Sequence, residues 1–280
     1  MMKRIIATVL ATIMLLCLIS CGKSETSGTN TASTSSGISS EETASEYTPS
    51  NTSSEDKKAE QNAVVRYFKY APGGKLQTTY DVDYSVEGTI TVNAFDKHNY
   101  KTGSTVYDYD ENGLVVYCSE RDKDGNELHY TTYEFNNLGK IDTEYYYEED
   151  TVRKTTKYEY DNNGNLVKKR VETVGDKDVY TWDYVRDGGF LHTIYISTDF
   201  MQNVEGYNFT NNPDGKLYQK THLKNGYMED YFMYDYDKSG RMNYRGYFNK
   251  NNSLIEYYEF KYGSAENLAA TAFFNTGIMD

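Results

Sequence analysis

From Val64 onward the chain repeats a short phrase of aromatic residues two apart, then Asp or Asn, then Gly three residues later. The clearest copies are Tyr107-Asp-Tyr109-Asp110-Glu-Asn-Gly113, Tyr133-Glu-Phe135-Asn136-Asn-Leu-Gly139, Tyr158-Glu-Tyr160-Asp161-Asn-Asn-Gly164 and Tyr234-Asp-Tyr236-Asp237-Lys-Ser-Gly240. Weaker copies surround Gly74, Gly188 and Gly215, and the spacings from Gly113 to Gly240 are 26, 25, 24, 27 and 25 residues. A second set of turn residues falls half a period later, at Asp124-Gly125, Gly175-Asp176, Asn225-Gly226 and Asn251-Asn252. Aromatics two apart share one face of an extended strand, and Asp/Asn-x-x-Gly supplies a turn whose glycine accepts positive φ. Two strands of about eight residues and two tight turns fill the period, leaving no room for a crossover helix. Each unit is therefore a β-hairpin and neighbouring strands run antiparallel. The stretch from Lys75 to Ser104 keeps this register poorly, although Thr89-Ile90-Thr91-Val92 still reads as strand.

The phrase Tyr-x-Tyr-Asp-x-x-Gly-x-Leu resembles the tyrosine-aspartate repeat of the RHS/YD family over roughly Phe68 to Tyr262. The resemblance implies a ribbon of β-hairpins, spiralling into a closed shell in large family members, and a role in surface recognition that includes carbohydrate. It covers the repeats only. Nothing resembles the long family core that follows them and releases a C-terminal toxin, so closure is left open and toxin delivery has no support here.

Alternation along the strands blurs the two faces. Ile141, Thr143, Tyr145 and Tyr147 favour one face, whereas Val167 and Val171 favour the other after Leu166. With few aliphatics and 30 tyrosines, the expected fold is all-β. It is an antiparallel meander of repeated hairpins, an elongated, twisted or spiralling single sheet with solenoid-like nearest-neighbour stability. The segment 264–280 reads as a short C-terminal helix or cap over the last edge strand.

The N-terminus carries a different signal. Lys3 and Arg4 precede the apolar stretch Ile5 to Leu16, and Leu18-Ile19-Ser20-Cys21 follows. A charged start and an apolar stretch too short for a comfortable membrane span describe a secretory signal. The last four residues resemble the lipobox of bacterial lipoproteins, which implies cleavage after residue 20 and lipidation of Cys21. Residues 21–62 are rich in Ser, Thr, Glu and Asn and show no apolar period, the composition of a disordered tether. The domain reading is thus signal peptide 1–20, lipidated Cys21 and tether 21–62, repeat domain 63–263, and cap 264–280.

Charge and chemistry narrow the function. With 29 Lys plus Arg against 42 Asp plus Glu, a net charge of −13 argues against nucleic acid, which requires a basic footprint. Cys17 leaves with the signal and Cys21 takes lipid, so Cys118 has no intrachain disulfide partner and reads as a half-buried strand residue. Asp108-x-Asp110-x-Asn112-Gly113 and Asp235-x-Asp237-x-Ser239-Gly240 open like calcium loops, but Ser119 and Gly246 stand where the closing glutamate belongs. The four histidines show no metal spacing, and no nucleophile or phosphate-loop signature occurs. No cofactor, metal site or enzymatic activity is expected. Tyr145-Tyr146-Tyr147, Tyr257-Tyr258 and Trp182 could stack on sugar rings or anchor a protein partner. The expected function is a non-enzymatic, lipid-anchored extracytoplasmic module on the bacterial cell membrane, binding carbohydrate or a cell-surface protein. The alternative is a structural or assembly lipoprotein acting as spacer or scaffold, with a hydrolase ranked last.

Overall fold

The computed structural model describes residues 63–199, 201 and 205–263. Cys21, the tether and the expected C-terminal cap lie outside the described residues. The described chain is all strand and turn: β1 (Ala63–Ala71), β2 (Lys75–Asp83), β3 (Thr89–Asp96), β4 (Lys101–Tyr109), β5 (Val115–Asp122), β6 (Glu127–Phe135), β7 (Ile141–Glu148) and β8 (Thr151–Tyr160) form the first half. The second half is β9 (Leu166–Thr173), β10 (Tyr180–Asp187), β11 (Phe190–Thr198), β12 (Glu205–Asn211), β13 (Leu217–Lys224), β14 (Tyr227–Tyr236), β15 (Met242–Asn249) and β16 (Leu254–Gly263). Each strand pairs antiparallel with the next, and β16 returns to pair with β1 from Ala63↔Gly263 to Tyr70↔Tyr257. The meander expected from the repeat is therefore present, and it closes into a barrel.

One turn shows why the phrase is written as it is. Asp161 Oδ1 accepts the backbone N–H groups of Asn163 and Asn165 at 2.9 and 2.8 Å, while Gly164 takes a φ of 77° and donates to the Asp161 carbonyl at 2.9 Å. The carboxylate thus satisfies two donors the tight turn leaves over. Asp110, Asn136, Asp237 and Asn249 hold their own turns the same way. Antiparallel order puts the turns at Gly113, Gly139, Gly164, Gly188, Gly215 and Gly240 at one end, together with Ala63 and Gly263. The half-period turns lie at the other end. Gly74 belongs to that second set, which is why the phrase loses register between Lys75 and Ser104. The β7–β8 turn, Glu149-Asp150 with φ of 49° and 56°, has neither Gly nor Asn to mark it.

Every hairpin from β4–β5 to β14–β15 that turns at the Gly113 end carries a register shift beside the turn. The extra residue of such a bulge reverses the inward and outward assignment. Ile141 and Leu166, which simple alternation would send outward, thereby face inside with Val115, Leu191 and Met242, and all five are buried. Two apolar clusters result, one on β1–β5 and β14–β16 and one on β7–β12, with Tyr133 and Leu217 packed against both. At the same end, Tyr84, Tyr160, Tyr236 and Tyr262 donate to the carbonyls of Val64, Ile141, Leu217 and Met242 at 2.6 to 2.8 Å. Each of these hydroxyls ties one hairpin to the hairpin before it.

Between the two ends, the inner wall adds aromatic rings and buried cations to aliphatics such as Val92 and Ile194. Lys69, Lys154, Lys169, Lys220 and Arg245 lie over the rings of Tyr258, Tyr146, Trp182, Tyr207 and Tyr258 at 4.4 to 5.6 Å. Cations laid on ring faces keep an attractive partner away from water.

Candidate functional site: tyrosine ladders on the outer wall

Successive strand side chains point to opposite faces, so each tyrosine run splits. Tyr145, Tyr147 and Tyr257 stand on the outer wall. Tyr146, Trp182 and Tyr258 face inside, where Tyr146 and Trp182 are buried and cannot meet a ligand approaching the outer face.

On the outer wall Tyr147 joins a ladder across three strands. Tyr117 on β5 stacks on Tyr130 of β6 with centroids 5.3 Å apart, and Tyr130 stacks on Tyr147 of β7 at 4.6 Å and 12°. Tyr145 stands two residues along the same face, across from Thr132 and Thr155. Carboxylates rim these rings: Glu127 accepts from the Tyr117 hydroxyl at 2.5 Å, Asp150 from Tyr130 at 3.3 Å and Glu134 from Tyr145 at 3.2 Å. Loss of hydration and these anions hold the phenols of Tyr130 and Tyr145 above the ordinary tyrosine range, so they stay neutral donors. Tyr257 belongs to a second ladder across the closure seam, between Tyr70 at 4.8 Å and Tyr244 at 5.6 Å. There Gly246 leaves a gap over which Tyr244 and Phe248 lean, and a Cβ at Gly246 would meet them at 2.5 and 2.8 Å.

Half-covered ring faces beside carboxylate acceptors can take a flat, hydroxyl-bearing molecule: rings against C–H faces, carboxylates against O–H groups. Elsewhere the outer wall carries exposed charge at mid-strand, as in the Lys157↔Arg170 and Glu159↔Lys168 pairs. An Arg or Lys at the midplane of a bilayer costs about 2–4 kcal/mol, a cost this stretch of β8 and β9 would incur against acyl chains. No helix among the described residues is long and apolar enough to cross a membrane.

The remaining sequence candidates have structural employment. In the calcium-like turns Asp110 and Asp237 each commit one oxygen to two backbone donors, and Asp108 accepts from Thr89 Oγ1 at 2.8 Å. Cys118 is half-buried on the inner wall between Tyr107 and Thr131, and burial pushes its thiol pKa up. His222 has Asp230 3.2 Å from Nδ1 and Glu205 3.6 Å from Nε2. The hydrogen bond to Asp230, with the Glu205 carboxylate close by, raises its pKa to about 9, making it a cation at neutral pH rather than a general base.

Sequence reasoning missed the inward charges, chiefly Glu144, Lys154 and Lys169. Each shares a face with the buried Tyr158 and Trp182, a grouping that appears only once the strand pairing is known.

No family model matches the chain, and no curated protein matches it. Among solved structures, it is similar to a TcdB2-TccC3-Cdc42 structure at 18% identity and a TM-score of 0.31, covering 64% of this chain and 13% of that one. It is also similar to a porin-like protein from Bacteroides uniformis at 10% identity and a TM-score of 0.39, covering 72% and 98%. A third is a putative exported protein with a YmcC-like fold from Bacteroides fragilis, at 12% identity and a TM-score of 0.20, covering 72% and 94%.

Proposed function

We propose that the chain is a lipid-anchored, extracytoplasmic binding module whose outer wall holds a neutral, hydroxyl-rich glycan. The observation that carries this reading is the Tyr117–Tyr130–Tyr147 ladder with Glu127, Asp150 and Glu134 at its rim. Stacked aromatic faces contribute binding energy without choosing a charge, and carboxylates accept from sugar hydroxyls while repelling acidic polymers. Lipidation at Cys21 and the 21–62 tether, both read from sequence, would display the barrel outside the cell. The spacer or scaffold reading loses one route to assembly, because β1 paired with β16 leaves no open edge for strand addition.

The test is an array of neutral and acidic glycans probed with the signal-free chain carrying Cys21→Ser. At least one neutral glycan should be retained, and Tyr130→Ala and Tyr147→Ala should each weaken it about tenfold, the equivalent of about 1.4 kcal/mol. A blank array, or variants that bind like the parent while keeping the same thermal melt, would sink the proposal.

A further inference from the structure

The strands β7 to β10 bring seven polar or aromatic side chains onto one patch of the inner wall. Glu144 stands directly across from Thr156, Lys154 across from Tyr146, and Lys169 between Tyr158 and Trp182. Glu144, 3% exposed, accepts from the Tyr158 hydroxyl at 2.7 Å. Lys169, 3% exposed, lies 4.4 Å from the centre of the Trp182 ring, and Lys154, 9% exposed, lies 4.9 Å from that of Tyr146. Among the described residues neither ammonium has a carboxylate oxygen within 4.0 Å.

Two groups in this patch have nothing to bind. Among the described residues, Trp182 Nε1 and Thr156 Oγ1 are buried with no hydrogen-bond partner. Two cations stand against one carboxylate, and that carboxylate is already engaged by Tyr158. Buried charge without a close counter-charge and buried N–H groups without acceptors are both unfavourable, and one oxygen-bearing anion would relieve both.

We propose that this patch binds a small monocarboxylate, with the Lys154 and Lys169 ammonium groups taking its charge and Trp182 N–H and the Thr156 hydroxyl serving as neutral donors. One negative charge is enough to give both ammonium groups a close counter-charge, since Glu144 is engaged by Tyr158 and Glu148 by Tyr146 and Arg153. A two-oxygen head can face more than one of these donors, which stand on three neighbouring strands, whereas a spherical ion meets them all from one point. Small size follows from burial on every side but that of Lys154, the most exposed of the group.

Protonation is coupled to this binding. Burial brings the Lys154 pKa down to about 8; repulsion from Lys169 adds to the shift, while Glu144 and Glu148 oppose it. The charged and titratable groups around Lys154 are Glu144, Tyr146 and Glu148 from β7, Lys169 from β9 and Tyr158 on its own strand. The anion requires the charged lysine, so affinity should be greatest below pH 8 and fall as Lys154 loses its proton above it.

Trp182 is the chain's single tryptophan, which gives the patch its own reporter. The full signal-free chain carrying Cys21→Ser would be titrated with sodium formate, with ionic strength held by sodium methanesulfonate, while Trp182 fluorescence is followed. The expected result is a saturable change at pH 7, at least tenfold weaker in Lys154→Met and Lys169→Met and weakened at pH 9.5. A change that never saturates, an identical response in both variants, or saturation by chloride at lower concentration than by formate overturns the proposal. Should either variant fail to fold, the indole N–H resonance of the unsubstituted chain decides. It must move downfield and saturate with formate, and a resonance that stays in place counts against the site.

Discussion

Tyr160 places one hydroxyl on the Ile141 carbonyl of the preceding hairpin, and Tyr236 does the same to Leu217. A net hydrogen bond of this kind contributes about 1 kcal/mol. Tyr160→Phe and Tyr236→Phe should therefore each destabilise the barrel by about 0.5–1.5 kcal/mol in denaturant melts, with the ring packing kept. The turn acids work by charge. Asp110, Asp122, Asp161 and Asp237 accept backbone or side-chain donors that lower their pKa below the ordinary 3.8. Their contribution is present above that value and fades as pH falls below it. His222 has the opposite sign: its pKa is raised from 6.5 to about 9 by the hydrogen bond it donates to Asp230 and by the neighbouring Glu205 carboxylate. What it contributes is full below pH 6.5 and lost as pH rises through 9. Discounted for its partial exposure, the loss is about 1–3 kcal/mol. Stability of the parent should fall across that window while His222→Gln shows a flatter profile there, read by urea melts at pH 6 and 9.5.

At the scale of the element, the hairpin was legible because its signals are local. Aromatic alternation, Asp capping and a glycine at positive φ all sit within seven residues, as Tyr158 to Gly164 shows. The two faces were not legible. Counting alternate residues from Ile141 leads to Tyr145 and Tyr147, yet Ile141 is inside and the two tyrosines are outside, because the bulge inserts a residue next to the turn. A bulge depends on pairing between strands, and no single strand announces it. The tyrosine runs divide for the same reason: Tyr145, Tyr147 and Tyr257 stand on the outer wall, and Tyr146, Tyr258 and Trp182 on the inner one. The charged inner patch went unread because lysine in a strand ordinarily signals a solvated face, and here the ring of Trp182 or Tyr146 receives it instead.

For the whole molecule, the seam between β1 and β16 changes how stability is distributed. A linear row of hairpins loses only the neighbour of whatever is removed, which is what the sequence suggested. In a closed sheet each strand has two partners, so removing β16 frees an edge on β1 and another on β15. A chain ending before Leu254 should lose its cooperative melt and associate through those edges, as judged by sedimentation. An unchanged melt and a monomeric species would show that closure adds little. Closure could not be inferred from one repeat, since it rests on the pairing of the first strand with the last across the full length of the domain.

Because Ala63 lies beside Gly263, the ring has no obligatory beginning. A short peptide could join these two positions and new termini could be opened at a surface bend such as Asn225-Gly226, at the opposite rim. A circularly permuted protein made this way would keep every strand pair of the ring while its chain began and ended at the rim opposite Ala63.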